Sequence, residues 1–139
     1  MANKRVLLDE SMPRQLARHL AASGISTTPY PNDWKQTKNG DLLTLAEQVG
    51  YNVLVTSDSN IYAQQNLRGR SISIVVLPTN LRRYVMARAA DVADTILRIE
   101  AAQYVVIEPN GARPVINYNA DNSAASDMPP VKPFEFRRL

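Results

Sequence analysis

Two acidic residues follow the first apolar run of the chain. Val6-Leu7-Leu8 leads directly into Asp9-Glu10, and a helical pattern begins at Ser11-Met12-Pro13. An apolar run that ends in this way is typical of a buried parallel strand that leads into a helix. Because catalytic and ligand-binding groups gather at the carboxyl edge of open α/β sheets, Asp9 and Glu10 are candidate functional residues. The alternative is that both acids only stabilise the positive end of the first helix dipole.

Two further acids occupy comparable positions later in the chain. Asn52-Val53-Leu54-Val55 is a second β-rich run, and it ends in Thr56-Ser57-Asp58. If the two strands are parallel and adjacent, Asp9 and Asp58 lie at the same edge of the sheet. Asp41 lies in the first turn of a predicted helix, where it either faces this edge or makes a dipole contact worth about 0.3–1 kcal/mol.

Basic and amide side chains follow these acids. Arg14 and Arg18 are four residues apart on the first predicted helix, a spacing that suits a phosphodiester backbone and equally suits a solvated helix face. Asn60 and Gln64 belong to an amide-rich segment, and Arg68 follows it. Amides can hydrogen-bond phosphates or bases, although they are also ordinary on a wet surface. These five residues are the candidate RNA-binding side chains.

Composition narrows the class of protein. With 139 residues of which 45% are hydrophobic, the chain fits one domain with a real core. The absence of cysteine excludes disulfides and thiolate metal sites and predicts the reducing cytoplasm, and no apolar run is long enough to span a bilayer. A single histidine excludes a His pair for zinc or a nucleophile–base relay. The net charge of +3, with arginine dominating the cations, mildly favours a polyanionic partner.

The elements that must position these side chains alternate along the chain. Strands are predicted near residues 6–8, 25–28, 52–58, 72–77 and 104–107, with helices between them, including one long helix over residues 81–101. This order predicts a three-layer α/β/α sandwich with a mainly parallel central sheet and right-handed crossovers, complete by Ile107.

Domain boundaries follow from the same pattern. Residues 1–118 form the predicted α/β domain, and residues 119–139 a C-terminal tail that is loose or docks on a partner. Phe134 and Phe136, beside Arg137 and Arg138, suit capture by a neighbouring subunit or a partner protein, or docking on this domain itself.

Several of these motifs, taken in order, resemble a known family. They are Leu8-Asp9-Glu10-Ser11-Met12-Pro13, Lys38-Asn39-Gly40-Asp41-Leu42-Leu43, Thr56-Ser57-Asp58-Ser59-Asn60, Tyr62, and Gln64-Gln65-Asn66-Leu67. This set resembles the small bacterial PIN-like domains over residues 6–77. PIN domains are metal-dependent nucleases and frequently the toxins of toxin–antitoxin pairs. The resemblance therefore implies a PIN-like fold, an endoribonuclease that hydrolyses RNA phosphodiester bonds, and RNA, an antitoxin protein and further copies of the chain as partners.

The resemblance also assigns roles to individual residues. Asp9 takes the place of the first-strand acid, Asp58 that of the acid after the third strand, and Asp41 that of the helix-borne acid. Together, with Glu10 as an outer ligand, they would hold Mg²⁺ or Mn²⁺, since hard divalent ions take oxygen ligands and need few protein carboxylates. The chain departs from the family at Thr79, which stands with an asparagine and no carboxylate after the fourth strand.

Two other classes remain open. A response-regulator receiver also places acids after its first and third strands, and Thr79 would suit its switch hydroxyl. Its lysine after the last strand is replaced here by Glu108-Pro109. The other class is a noncatalytic module that keeps the fold and binds RNA or protein through arginines, namely Arg14, Arg18, Arg68 and Arg70.

Overall fold

The computed structural model describes residues 3–35, 37, 39–64, 66–119 and 126–136. Its strands are β1 (Arg5–Leu8), β2 (Ser26–Thr28), β3 (Val53–Thr56), β4 (Ser73–Val76), β5 (Gln103–Val106) and β6 (Val115–Asn117). Its α-helices are α1 (Gln15–Ala22), α2 (Asn39–Val49), α3 (Ile61–Gln64), α4 (Arg82–Ala87) and α5 (Ala89–Arg98). A single 3₁₀ turn (Asn32–Trp34) follows β2.

The strands form one sheet in the order β2-β1-β3-β4-β5-β6. The first five are parallel, and β6 runs antiparallel to β5. In the register, Leu7 lies opposite Thr28 on one side and Leu54 on the other. The chain leaves β1 toward β2 and then returns to the far side of β1 at β3. The topological switch point, where ligands bind in such sheets, therefore lies between β1 and β3.

Helices cover both faces of this sheet. Alternate strand residues point to opposite faces, so Val6 and Leu8 belong to one core cluster and Leu7 to the other. The first cluster includes side chains of α1, α4 and α5, and the second includes side chains of α2 and α3. The predicted α/β class with a mainly parallel sheet is confirmed, and helical layers lie on both of its sides.

One crossover has the opposite hand from the others. The β1 to β2 connection runs across the sheet in one direction and lies on the face covered by α1. The β2 to β3 and β3 to β4 connections run in the opposite direction and lie on the other face, which α2 and α3 cover. These three connections share one hand. The β4 to β5 connection also runs in that second direction, but α4 and α5 lie on the α1 face. Because right-handed crossovers are the rule, we assign the three connections that share one hand as right-handed. The β4 to β5 connection has the opposite hand and is therefore left-handed. The prediction of uniformly right-handed crossovers is wrong because α5 packs beside α1.

Two boundaries also differ from the sequence prediction. The long helix expected over residues 81–101 is divided into α4 and α5 at Arg88, whose φ and ψ of −114° and 18° are not helical. The local sequence contains no glycine or proline to signal this break. The sheet is not complete at Ile107, because β6 adds an antiparallel strand beyond it.

The C-terminal segment, residues 126–136, packs along the domain. Met128 forms an antiparallel bridge with Arg113, and the backbone N–H of Phe134 donates to the carbonyl of Pro109 at 2.8 Å. Val131 donates to the carbonyl of Gly111, whose φ of +93° and close approach to Val131 leave no room for a side chain. This packing differs from the loose tail that composition suggests, because Phe134 enters the core cluster beside the α1, α4 and α5 side chains.

A buried arginine links this segment to α5. The Nη1 of Arg113 donates to Asp94 Oδ2 at 2.7 Å and to Thr95 Oγ1 at 2.9 Å, and its Nε donates to the Pro129 carbonyl at 2.7 Å. Burial would raise the pKa of Asp94, but hydrogen bonds from Arg113 and Arg98 outweigh burial and hold that pKa below its usual value. The pair therefore ties α5, β6 and the C-terminal segment together.

Candidate functional site

Asp9 lies at the carboxyl end of β1 and is held from the neighbouring strand. Its backbone N–H donates to the Val55 carbonyl at 2.9 Å, which extends the β1–β3 ladder by one residue. Its Oδ2 accepts hydrogen bonds from Thr56 Oγ1 at 2.9 Å and from Ser11 Oγ at 3.3 Å. Among the described residues, no hydrogen bond reaches Oδ1 of Asp9. The hydrogen bonds from Thr56 and Ser11 therefore orient the carboxylate through Oδ2 alone.

Asp58 is connected to Asp9 through the same threonine. Thr56 is 1% exposed, and its Oγ1 also accepts the backbone N–H of Asp58 at 3.0 Å. The Asp58 carboxylate accepts the backbone N–H of Asn60 at 2.9 Å, just before α3 begins. The Ser11 and Ser57 hydroxyls approach each other to 3.5 Å across the strands. Sequence reasoning predicted this meeting of the β1 and β3 ends, and the structure confirms it.

An open cleft of about 360 Å³ lies beside Asp9, next to the β1 end. Its walls come from the loop after β1, the start of α1 and the loop after β2, and they are formed by Glu10, Met12, Arg14, Tyr30, Asn32 and Lys35. Two cations, Arg14 and Lys35, therefore share this cleft with the Glu10 carboxylate. Such a mixture of charge suits an anion that is held by arginine and lysine near a carboxylate centre.

Tyr30 and Lys35 are site residues that sequence reasoning missed. Burial is the main cause of the raised pKa of Tyr30, and the Glu10 and Asp9 carboxylates raise it further. The phenol lines the same cleft as Glu10, and its hydroxyl donates to the Trp34 carbonyl at 2.6 Å. The signal available in the sequence was topological, because the loop after β2 opens at the same edge as the loop after β1.

Asp41 does not join this network. It is exposed in the first turn of α2, where the dipole interpretation fits, and no described hydrogen bond or ion pair connects it with Asp9 or Asp58. Over the described part of the chain, no group of three or more histidine, aspartate and glutamate residues is arranged to hold a metal ion. The three-carboxylate set of Asp9, Asp41 and Asp58 stays a prediction.

The predicted RNA-binding residues fall in two places. Arg14 and Arg18 are both exposed on α1 and line a second cavity beside Pro29, so Arg14 belongs to two adjoining cavities. Arg68 lies on the other face of the sheet, in a cavity with Tyr62, Asn66, Leu67 and Tyr118.

The remaining basic and amide candidates are Asn60, Gln64 and Arg70. Asn60 is exposed next to Asp58, whereas the side chain of Gln64 lies outside the described residues. Arg70 is engaged at 2.7 Å with Glu47, on the α2 side of the sheet. That ion pair connects α2, which contains Glu47, with the loop before β4, which contains Arg70.

Residues 77–81, after β4, contain no carboxylate, whereas Glu108 follows β5. Thr79 Oγ1 accepts the backbone N–H of Leu81 at 3.1 Å and so shapes the entry to α4. On β5, burial raises the pKa of Tyr104, and the Asp58 carboxylate raises it further.

Comparison with known proteins gives no match, either to a family model, to a curated protein or to a solved structure. Among the described residues, no helix has the length and apolar character needed to cross a membrane.

Proposed function

We propose that the chain is a metal-dependent ribonuclease of the PIN-like type, with its reacting centre at the switch point between β1 and β3. The observation that carries this proposal is the hydrogen-bonded path from the Asp9 carboxylate through the Thr56 hydroxyl to the backbone N–H of Asp58, next to a cleft lined by Arg14 and Lys35. Carboxylates at this sheet edge suit a divalent cation, and the adjacent cations suit a phosphodiester. The role of a toxin controlled by an antitoxin is part of the same proposal.

The donor atoms fit Mg²⁺ or Mn²⁺. Both ions favour oxygen ligands, and Mg²⁺ commonly keeps several waters and takes only one or two protein carboxylates. Asp9 and Asp58 are the proposed ligands, with Glu10 as an outer one, and Ser11 and Thr56 fix the Asp9 carboxylate. Such a cation, when bound, lowers the pKa of a water molecule and stabilises negative charge on the phosphoryl oxygens.

The protein side chains have separate tasks around the phosphodiester. Arg14 and Lys35 bind its nonbridging oxygens from the wall of the cleft. Glu10, on the same wall, accepts the proton of the attacking water. The raised pKa of Tyr30 keeps its phenol protonated even in mildly alkaline solution, and the phenol holds the loop after β2 against the cleft through Trp34.

The direct test is cleavage of a fluorescent single-stranded RNA with Mn²⁺, with Mg²⁺, and with neither. Wild type should cleave only with metal, and Asp9→Asn or Asp58→Asn should slow cleavage by about a hundredfold or more. Glu100→Gln is a matched control, because it removes one exposed carboxylate at the opposite edge of the sheet, before β5. Asp41→Asn in the same series decides whether the helix-borne acid takes part.

Metal binding provides an independent readout. Mn²⁺ should raise the unfolding midpoint of wild type and of Glu100→Gln, and raise that of Asp58→Asn much less, since a ligand stabilises the folded state that binds it. Absence of metal-dependent cleavage and of any Mn²⁺ shift in wild type would overturn the proposal. RNA binding without cleavage would favour the noncatalytic module instead.

A second candidate rests on the strand order. The order 2-1-3-4-5 within the parallel part of the sheet also occurs in receiver-type phosphoacceptor domains. In that case Asp58 would accept a phosphoryl group, although Glu108 follows β5 where a lysine is expected. Incubation with acetyl phosphate and Mg²⁺ followed by intact mass measurement tests this. A mass gain of one phosphoryl group in wild type that is lost in Asp58→Asn would support the receiver function.

A further inference from the structure

Three aromatic rings gather where the C-terminal segment meets α4. The ring centroids of Tyr84 and Phe136 are 4.9 Å apart at 65°, and those of Phe134 and Phe136 are 5.8 Å apart and nearly parallel at 11°. Phe134 is 8% exposed and belongs to the core, whereas Phe136 is 46% exposed. We call Tyr84, Phe134 and Phe136 the aromatic patch. Packing of the domain accounts for Phe134 but leaves much of the Phe136 ring in solvent.

Two arginines, Arg83 and Arg88, lie beside this patch. The Arg83 guanidinium lies 4.7 Å from the centre of the Tyr84 ring, and its Nη2 donates to the Tyr84 hydroxyl at 2.6 Å. A cavity of about 350 Å³ opens beside the rings, and it is lined by Arg83, Tyr84, Ala87, Arg88, Phe134 and Glu135. Arg88 is 3.7 Å from Asp91, and Glu135 is the acid in the lining. Exposed aromatic carbon next to guanidinium groups favours a ligand with flat rings and negative charge.

The patch lies at the same edge of the sheet as Asp9 and Asp58. Helix α4 begins shortly after the carboxyl end of β4, and Phe134 is hydrogen-bonded to Pro109, which follows β5. β3 and β5 are two positions apart in the sheet, a separation of about 10 Å from the usual strand spacing. A single nucleic-acid strand that leaves the switch point along this edge in the direction of β5 would therefore run toward the patch.

We propose that the aromatic patch is a base-stacking subsite for single-stranded RNA, next to the phosphodiester at the Asp9 edge. This inference rests on the proposed ribonuclease function, and it adds Phe136, Tyr84 and Arg83 to the substrate-binding surface. Stacking on an aromatic side chain tolerates any base, so the subsite contributes affinity and leaves sequence preference to other contacts. Arg83 adds a cation–π contact and an interaction with phosphate.

The test is fluorescence anisotropy with a labelled oligouridylate in EDTA, which allows binding and prevents metal-dependent cleavage. Phe136→Leu keeps an apolar side chain on the C-terminal segment but removes the ring, and it should weaken binding by about tenfold. Phe136→Trp should bind at least as tightly as wild type. The matched control is Leu97→Ala, an exposed apolar residue on α5, which should bind as wild type does. Unfolding midpoints of all variants show that the domain folds, and limited proteolysis within residues 126–136 shows that the segment stays docked.

The outcomes separate the two proposals. Equal affinity of wild type and Phe136→Leu overturns the stacking subsite, whether or not the protein cleaves RNA. Tenfold weaker binding by Phe136→Leu supports the subsite, even if Mn²⁺-dependent cleavage is absent and the ribonuclease proposal fails. If Phe136→Leu instead lowers the solution mass of the protein and leaves RNA affinity unchanged, the patch is an interface between copies of this chain and the inference is wrong.

Discussion

Truncation to alanine should lower the free energy of unfolding by very different amounts at the two phenylalanines of the C-terminal segment. Phe134 is buried in the core with its ring against Phe136, so Phe134→Ala leaves a cavity and should lower the free energy of unfolding by about 3 kcal/mol. Phe136 keeps nearly half of its surface in solvent, so Phe136→Ala should cost about 1 kcal/mol or less. For a chain of this length the larger change lowers the melting temperature by about 10 °C.

The chain contains a well-placed probe for this experiment. Trp34 is the only tryptophan, and it packs at the edge of the cluster around α2, on the opposite face of the sheet from Phe134. Its ring lies 6.4 Å from Tyr30 and 6.1 Å from Tyr51. Urea unfolding followed by Trp34 fluorescence therefore reports the whole domain and is blind to local release of residues 126–136. If Phe134→Ala shifts the Trp34 midpoint no more than Phe136→Ala does, the C-terminal segment is not part of the cooperative unit and the packing argument fails.

Two further changes test the site and the link to α5. Thr56→Val removes the hydroxyl that joins Asp9 to the Asp58 backbone, so urea unfolding should show a loss of about 2 kcal/mol. The Mn²⁺ stabilisation should shrink as well, and an undiminished Mn²⁺ shift would separate Thr56 from the metal site. Arg113→Met should cost about 3 kcal/mol at neutral pH. Because Asp94 has a lowered pKa when folded, its ion pairs stabilise the fold above the ordinary value of 3.8 and are lost as pH falls through the folded value. Wild type should therefore lose more stability than Arg113→Met over that acidic range, and parallel pH profiles would contradict this.

The sequence was sufficient to predict the parallel strands and the position of Asp9 and Asp58 at one edge of the sheet. Val53-Leu54-Val55 is an apolar run buried on both faces, and such runs are read reliably as central strands. Once β1 and β3 are neighbours, Asp9 and Asp58 must share an edge. That conclusion needs only the strand order and the position of each acid at a strand end.

Other features depend on contacts between distant parts of the chain. Arg113 is an arginine in a short turn, and nothing nearby indicates that it is buried, because its partners come from α5 and from residue 129. Lys35 and Tyr30 enter the cleft only because β2 lies beside β1. The docking of the C-terminal segment was equally hard to predict. Its small and polar residues give no sign of the two backbone hydrogen bonds that hold it at Pro109 and Gly111.

The left-handed connection between β4 and β5 has a consequence for the order of folding. The units built from β1, β2, β3 and β4 place helices on the faces that ordinary crossovers require, so they can assemble in the order of the chain. The last parallel strand differs, because the helix that leads into it, α5, packs beside α1, some seventy residues away in sequence. Closing such a distant contact is slow. Strand β5, and with it β6 and Arg113, should therefore gain hydrogen-exchange protection last during refolding, after the Asp9 and Asp58 ends have met.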